Sequence, residues 1–367
     1  MFVLLLALAT AFAADPAAGP IGPAATVATT TDPVHVDGIL DEADWARAIP
    51  VTAFTRFIPG PGGEPPGDTD VRFMQDETLL YVGVRVSGCD YPIRAHVSPR
   101  EDVNIDDQIG VYLDPFGEGR TGNIFYVNSL GVQQDLRYAY GEWNINWNAV
   151  FKSEGRVTDD GFVIEIAIPF RSLRYPRVDG AKGARIQSWG VMITRKVPSE
   201  GTKYAWPVLA ARHPRIFTQA ARLEGVRPGS AGAGVELIPT VVGRFAMDRG
   251  ESGAGPLRWT GAVPWWDTLR PGLDARVGLT PDLGLAATLN PDFSQVEGDV
   301  EQIDLNRRVD PQNPERRPFF LDGFDAFADD AHTIYTRSIV SPVAGVKLSG
   351  RIDRFSVGAL IALDRDP

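Results

Sequence analysis

The sequence predicts an all-β chain: an N-terminal antiparallel β-sandwich followed by the first strands of an outer-membrane-type β-barrel. Three observations predict it. Short stretches of alternating apolar and polar residues recur from Val34 to about Gly225, at intervals of roughly ten to fifteen residues, as half-buried strands do. The 367 residues hold 38 glycines and 29 prolines, a share that favours many turns over long helices. Beyond Gly234 the alternation continues, with Gly, Ala and Ser on every second position of longer stretches, which suits a wall with a lipid face and a lumen face.

Taken in order, Phe2–Phe12 is an apolar run ending in Ala11-Phe12-Ala13. Its length and small-residue end fit a secretory signal over residues 1–13, although no Lys or Arg precedes it. Residues 14–31 read as a flexible Pro/Ala/Gly/Thr linker. Asp41–Trp45 is a short helix with Asp41 as N-cap and Trp45 turned inward. Thr69–Met74 and Leu79–Val86 form a hairpin around Gln75–Thr78, with Leu80, Val82, Val84 and Val86 on one face. Ile109–Asp114, Gly122–Asn128 and Gln133–Tyr140 extend the sheet. Phe162–Pro169 repeats the alternation through Phe162, Ile164, Ile166 and Ile168, and Trp189–Arg195 adds a strand. The sandwich therefore spans 32–226, and Arg227–Gly234 is a linker too rich in Gly, Pro and Ser to pack. Residues 235–367 are the start of the barrel, with strands at Leu273–Leu279, Leu283–Leu289, Val343–Leu348 and Phe355–Leu363. These strands are too few to close a barrel with a lumen, so the expectation is the N-terminal part of a longer protein, the alternative being that these strands are not membranous.

Composition narrows the function. With 36 Lys and Arg against 47 Asp and Glu, the formal charge is −11. That argues against nucleic acid as a partner, because sequence-independent binding needs clustered basic residues. Cys89 is the single cysteine, so an intramolecular disulfide and a thiolate metal cluster are excluded. His35, His96, His213 and His332 are scattered and form no zinc motif.

Val36-Asp37-Gly38-Ile39-Leu40-Asp41-Glu42-Ala43-Asp44-Trp45 resembles the opening of family 9 carbohydrate-binding-module-like domains. Arg100-Glu101-Asp102, Asp106-Asp107-Gln108-Ile109-Gly110-Val111-Tyr112-Leu113-Asp114, Asp160–Phe170 and Trp189-Gly190 follow in that family's order. Leu289-Asn290-Pro291-Asp292-Phe293 through Asp299, and Glu315-Arg316-Arg317-Pro318-Phe319-Phe320-Leu321-Asp322-Gly323, resemble an uncharacterised bacterial envelope family in which such a module precedes an outer-membrane barrel. The resemblance implies a sandwich that holds a glycan or oligosaccharide, with structural calcium as an option, and a barrel of unknown role. Sugar-binding relatives clamp their ligand between two tryptophans, and the sequence identifies neither.

Sugar recognition needs flat aromatic faces and planar polar side chains. Tyr138–Asn148 is the richest stretch. In an extended strand Trp143 and Trp147 would share a side about 13 Å apart, each stacking its own sugar; the alternative puts Trp147 in the core and leaves Trp143 exposed. Arg100, Asp107 and Arg195 are the polar candidates within the matched motifs, with a salt bridge at the sandwich rim as the alternative for Arg195. Asp102-x-Asn104-x-Asp106 mimics the start of a calcium loop, but Asp107 stands where glycine is required and Leu113 where an acid is. Asp106, Asp107 and Asp114 could still hold a hard cation, or form a solvated acidic turn. A glycosidase would pair Glu165 with Asp106, Asp107 or Asp135. No nucleophile elbow, P-loop or dinucleotide fingerprint occurs. Arg307-Arg308, Glu315-Arg316-Arg317 and Phe319-Phe320 would line a lumen, pack a plug or form a loop.

The functional expectation is non-catalytic glycan binding by a sandwich attached to an outer-membrane barrel, supporting polysaccharide capture, uptake or catabolism. No cofactor is needed beyond the optional calcium. The chain would be exported to the bacterial outer membrane, with the sandwich facing the periplasm or the surface. The alternatives are a transport or assembly barrel whose sandwich contacts protein, and a hydrolase of O-glycosyl bonds or its accessory module.

Overall fold

The computed structural model describes residues 2–7, 22–139, 141–176, 186–211, 213, 215–229, 234–243, 247–248, 258–259, 269–291, 315, 317–323, 327, 336–352 and 355–365. The chain divides into two compact units, one of residues 12–232 with 280–282, the other of residues 1–11, 233–279 and 283–367. Strand β1 (Phe2–Ala7) belongs to the second.

The first unit is built from β2 (Ala24–Thr29), β3 (Thr55–Ile58), β4 (Asp68–Gln75), β5 (Leu79–Ser87), β6 (Gln108–Asp114), β7 (Thr121–Asn128) and β8 (Gln133–Ala139). It continues through β9 (Glu142–Asn144), β10 (Lys152–Val157), β11 (Phe162–Pro169), β12 (Gln187–Val197), β13 (Thr202–Trp206) and β14 (Ala221–Val226). The pairing order is β10-β11-β5-β4-β2-β14-β12-β6-β7-β8-β9, with β13 joining β12 to β3. It forms the two layers of a sandwich that meet at β2. Ala24–Thr26 run parallel to β14 and Val27–Thr29 parallel to β4, so one strand switches sheets, as corner strands do. Thus the end of the stretch expected as a flexible linker is a strand.

The core follows the expected alternation. Leu80, Val82, Val84 and Val86 of β5 and Phe162, Ile164, Ile166 and Ile168 of β11 face Ile109, Val111, Leu113, Phe125, Trp189, Val191 and Ile193 of the other layer. Each such side chain contributes about 1.5–3 kcal/mol through burial. On the outside of the β5/β11 layer, Trp45 packs with Met74, Tyr81 and Ala167. It arrives there on a 3-10 helix, Ala43–Arg47, whose N-cap is Glu42 and not Asp41. The outside of the other layer carries Phe57, Tyr112, Ile124, Tyr138, Met192 and Phe217.

The second unit holds β15 (Val235–Gly243), a two-residue pair β16 (Met247–Asp248) and β17 (Arg258–Trp259), then β18 (Leu269–Thr280), β19 (Leu283–Leu289), β20 (Pro342–Ile352) and β21 (Phe355–Asp364). Its main sheet has six strands in the order β1-β21-β20-β19-β18-β15. The apolar segment of β1 lies antiparallel on β21, with Phe2 opposite Leu363 and Ala7 opposite Gly358. One face exposes Leu237, Val241, Leu273, Leu289, Val346 and Ile361. The other buries Ala286, Thr288, Lys347, Ser349, Leu360 and Ala362. A single α-turn, α1 (Pro318–Leu321), covers that buried face. The Phe319 ring sits over Gly345, Lys347 Nζ donates to the carbonyls of Phe319 and Asp322, and Arg317 stacks 4.1 Å over Phe320. Glu315, Arg317, Phe319 and Phe320 thus build a fixed cover. Arg307-Arg308 and Asp292–Asp299 lie outside the described residues.

The barrel expectation is corrected here. β1 and β15 are opposite edges of an open sheet, and no described strand joins them. Alternation specifies one apolar face, whereas a barrel also needs first-to-last pairing and a matching shear. Without closure the outer-membrane placement and the membrane partner lose their structural basis, as does a function attached to a barrel. No helix among the described residues is long and apolar enough to cross a membrane. The all-β, sandwich-like part of the expectation stands.

Candidate functional site

The charged residues singled out by sequence mostly close loops. Arg195, at the end of β12, is fully buried. Its Nη1 donates to Thr69 Oγ1 at 2.7 Å, and its Nη2 donates to the Pro66 carbonyl at 2.7 Å, Tyr91 OH at 3.1 Å and Cys89 Sγ at 3.3 Å. Tyr91 OH donates in turn to Asp107 Oδ1 at 2.9 Å, and the Arg94 N–H to Asp107 Oδ2 at 2.8 Å. Arg195 and Asp107 are therefore brought together through Tyr91 and tie down the chain around residues 66 and 91. Burial pushes the Asp107 carboxyl up, while the Arg94 N–H, the Tyr91 hydroxyl and the Arg195 charge act the other way.

The remaining cation candidates are filled by protein donors. Asp106 accepts from Asn128 Nδ2 at 2.8 Å and the His96 N–H at 3.2 Å, and lies 2.6 Å from His96 Nδ1. Asp114 accepts the N–H groups of Phe116, Gly117 and Gly119, and burial pushes its carboxyl up to about 6. Asp114 closes β6 while Asp106 and Asp107 precede it, so the three do not converge. No cluster of three or more His, Cys, Asp or Glu suited to a metal occurs among the described residues.

Arg100 joins a second network. Its Nη2 donates to Asp135 Oδ1 and to the Ala149 carbonyl, its Nε donates to Glu101 Oε1 at 3.1 Å, and its guanidinium lies 5.4 Å over Phe151. Asp135 Oδ2 accepts the Ala149 N–H at 2.5 Å. Glu101 holds a left-handed φ of 76°, and burial followed by the Asp135 charge pushes its carboxyl up to about 7. This network pins the chain between Trp147 and Phe151 across β8. The two tryptophans diverge because β9 stops at Asn144, whose Oδ1 accepts the Asn146 N–H. Trp147 turns into the core, 6.0 Å from Phe125. Trp143 stands 44% exposed, with Tyr138 edge-on at 5.1 Å.

Glu165 lies in the other layer, opposite Gly83 and Glu154. Its Oε2 accepts the N–H groups of Asp37 and Gly38 at 2.9 Å each. Neither Asp106, Asp107 nor Asp135 faces it, since all three belong to the β6–β8 layer and are held there. The expected pairing of Glu165 with one of these three acids is therefore not formed.

Sequence reasoning missed a polar strip on the outer face of β13, β12, β6 and β7. One cross-strand row is Lys203, Lys196, Gln108 and Asn128; the next is Ala205, Thr194, Gly110 and Tyr126. Positions two apart share a face, so the rows adjoin. Thr55 sits opposite Ala205 and extends the second row. Gly110 lets this row close up: a Cβ there would lie 2.5 Å from Thr194 Oγ1 and 2.6 Å from the Tyr126 ring. Tyr126 OH lies 2.5 Å from Tyr112 OH. Gln108 is 3% exposed, and its Oε1, like Thr55 Oγ1, is buried with no hydrogen-bond partner among the described residues. Lys196 Nζ donates to the Asn104 carbonyl. Burial lowers the pKa of both lysines, and the Lys203 charge lowers that of Lys196 further, against the pull of Asp106 and Asp107. The alternation of Gln108, Gly110 and Tyr112 could have marked this face; the grouping with Lys196 and Lys203 needs the register of strands distant in sequence.

Comparison with known proteins adds a family and two solved structures. The family described as domain of unknown function (DUF5916) matches residues 264–349, nearly all of them in the second unit. No curated protein matches. A carbohydrate binding module family 9 from Caldicellulosiruptor kristjanssonii in complex with cellotriose is 12% identical at a TM-score of 0.38, covering 55% of this chain and 92% of the other. A carbohydrate binding module family 9 from the same organism in complex with glucose is 12% identical at a TM-score of 0.35, covering 57% of this chain and 98% of the other. At that degree of likeness neither structure bears on the assignment.

Proposed function

We propose that the first unit binds a sugar without cleaving it, through the outer face of its β12–β9 layer. The observation that carries this reading is Trp143. Trp45, Trp147, Trp189 and Trp206 are buried, whereas Trp143 presents its ring to solvent and is held edge-on by buried Tyr138, itself 5.3 Å from Phe217. An aromatic plate fixed from behind suits the C–H face of a sugar ring, because its conformational freedom is already lost before binding. Binding without turnover fits the commitment of Asp106, Asp107, Asp114 and Asp135 to loop-closing hydrogen bonds.

The test is titration calorimetry of the full chain against neutral β-linked oligomers of glucose, xylose, mannose and galactose. At least one is expected to bind, and Trp143→Ala should weaken it roughly tenfold, about 1.4 kcal/mol, with the circular dichroism spectrum unchanged. Binding that survives Trp143→Ala at full strength, or a folded chain that takes neither these nor charged oligosaccharides, removes the reading.

A further inference from the structure

We infer that Lys196, Lys203 and Gln108 form an anion-binding subsite on the outer face of the first unit, and that the sugar it takes carries a carboxylate, as a uronic acid does. The ring half of this inference rests on the sugar-binding reading above; the charge half rests on the lysine pair alone.

Lys196 and Lys203 are direct cross-strand partners. Like charges in that position sit with their Cβ atoms about 4.5–5.5 Å apart and destabilise the sheet. Composition does not force the pairing, because acids outnumber bases by 47 to 36. Among the described residues no hydrogen bond or ion pair reaches the Lys203 ammonium, and Lys196 has the Asn104 carbonyl. The acids that act on Lys196 are Asp106 and Asp107, and their oxygens are already taken by Asn128, His96, Tyr91 and the Arg94 N–H. Asp106 and Asp107 thus act on Lys196 at a distance, and among the described residues no carboxylate makes an ion pair with either half-buried ammonium. A carboxylate placed between them would relieve both the mutual repulsion and the desolvation.

Gln108 extends the same row on the other side of Lys196. Its buried Oε1 has no partner, and leaving a buried acceptor unsatisfied costs about 1–3 kcal/mol. A hydroxyl donor arriving there would satisfy it. A carboxylate beside a hydroxyl on one ring is the chemistry of a uronic acid, and lysine ammoniums, as compact point charges, accept a carboxylate without demanding the planar fork geometry of arginine.

The experiment is calorimetric titration of the full chain with oligogalacturonate, oligoglucuronate and oligoguluronate, each beside its methyl ester, which keeps the ring and removes the charge. At least one acid is expected to bind ten times or more tightly than its ester. Lys203→Gln should abolish that preference and Lys203→Arg should retain it. The preference should shrink as salt rises from about 0.05 to 0.5 M, since partly exposed charges are screened. Lys203→Gln should also keep or raise the thermal midpoint, because it removes a repulsion. Acid and ester binding equally, or a folded Lys203→Gln that keeps the preference, overturns the inference. If they bind equally and Trp143→Ala weakens both, the sugar reading survives alone. If neither acids, esters nor neutral oligomers bind, both readings fall.

Discussion

Glu165 shows what a single buried group can contribute to pH dependence. It is 1% exposed, with Oε2 held by two backbone N–H groups and Oε1 without a partner. Burial pushes its carboxyl up to about 7, helped by the Glu42 and Asp37 charges and opposed by those two N–H groups. A folded pKa above the unfolded value means that the native state binds the proton more tightly. The resulting stabilisation is complete below about 4.5 and is lost as pH rises through about 7. Glu101, also pushed up to about 7, and Asp114, to about 6, act in the same direction, so wild-type stability should fall between pH 5 and 8 for several reasons at once. The contribution of Glu165 is isolated by Glu165→Gln, which keeps the shape and removes the ionisation. Urea midpoints measured from pH 5 to 8 should show the variant gaining on the wild type as pH rises. A difference that stays constant across that range would exclude Glu165 as a source of the slope.

The element that Glu165 anchors is the segment from Val34 to Trp45, which lies on the outside of β5 and β11. Val34, Val36 and Leu40 pack with Trp45, and Gly83 gives them room. A Cβ at Gly83 would meet Leu40 Cδ2 at 2.8 Å and the Trp45 ring at 2.9 Å. Gly83→Ala should therefore lift the segment, costing about 1–3 kcal/mol as overpacking does, with a red shift in tryptophan fluorescence; an unchanged urea midpoint would show that the segment is not held by this contact. The alternation of β5 and β11 was readable in the sequence because each has a single apolar face, and period two records nothing else as clearly. β2 was hidden because Ala24–Thr29 is short and small, and its role depends on two parallel partners, β14 and β4, far along the chain. The sequence leaves open whether Trp143 and Trp147 share one extended strand or Trp147 turns into the core; an Asn144 side chain bonding to the backbone ends β9 between them and gives the second arrangement. The Lys203–Lys196–Gln108 row was invisible for the same reason as β2: it exists only once β13, β12 and β6 are in register.

At the scale of the whole chain, both units bury apolar side chains, and the second buries polar ones among them. The first hides aliphatic faces between layers, whereas the sheet of the second buries Thr288, Lys347 and Ser349 beneath α1 and leaves Leu237, Val241, Leu273 and Ile361 in the open. Sequence alternation revealed both faces of that sheet but could not tell which pairs of strands meet, so part of a barrel wall was expected where the described strands form an open sheet with β1 and β15 at its edges. On β15 and β18 the apolar positions alternate in register, Leu237 opposite Ala275 and Pro239 opposite Leu273, so they join into one patch and are not scattered singly. Large contiguous apolar patches are unusual on a soluble monomer. It should bind a hydrophobic fluorescent dye in the native state. The full chain is expected to enhance anilinonaphthalene sulfonate fluorescence at neutral pH, and the triple change Leu237→Thr, Val241→Thr and Leu273→Thr should reduce that enhancement at least about twofold. Threonine is β-branched and suits a pleated surface, so loss of dye binding at an unchanged thermal midpoint would locate the patch on this face, while dye binding indifferent to the triple change would place it elsewhere.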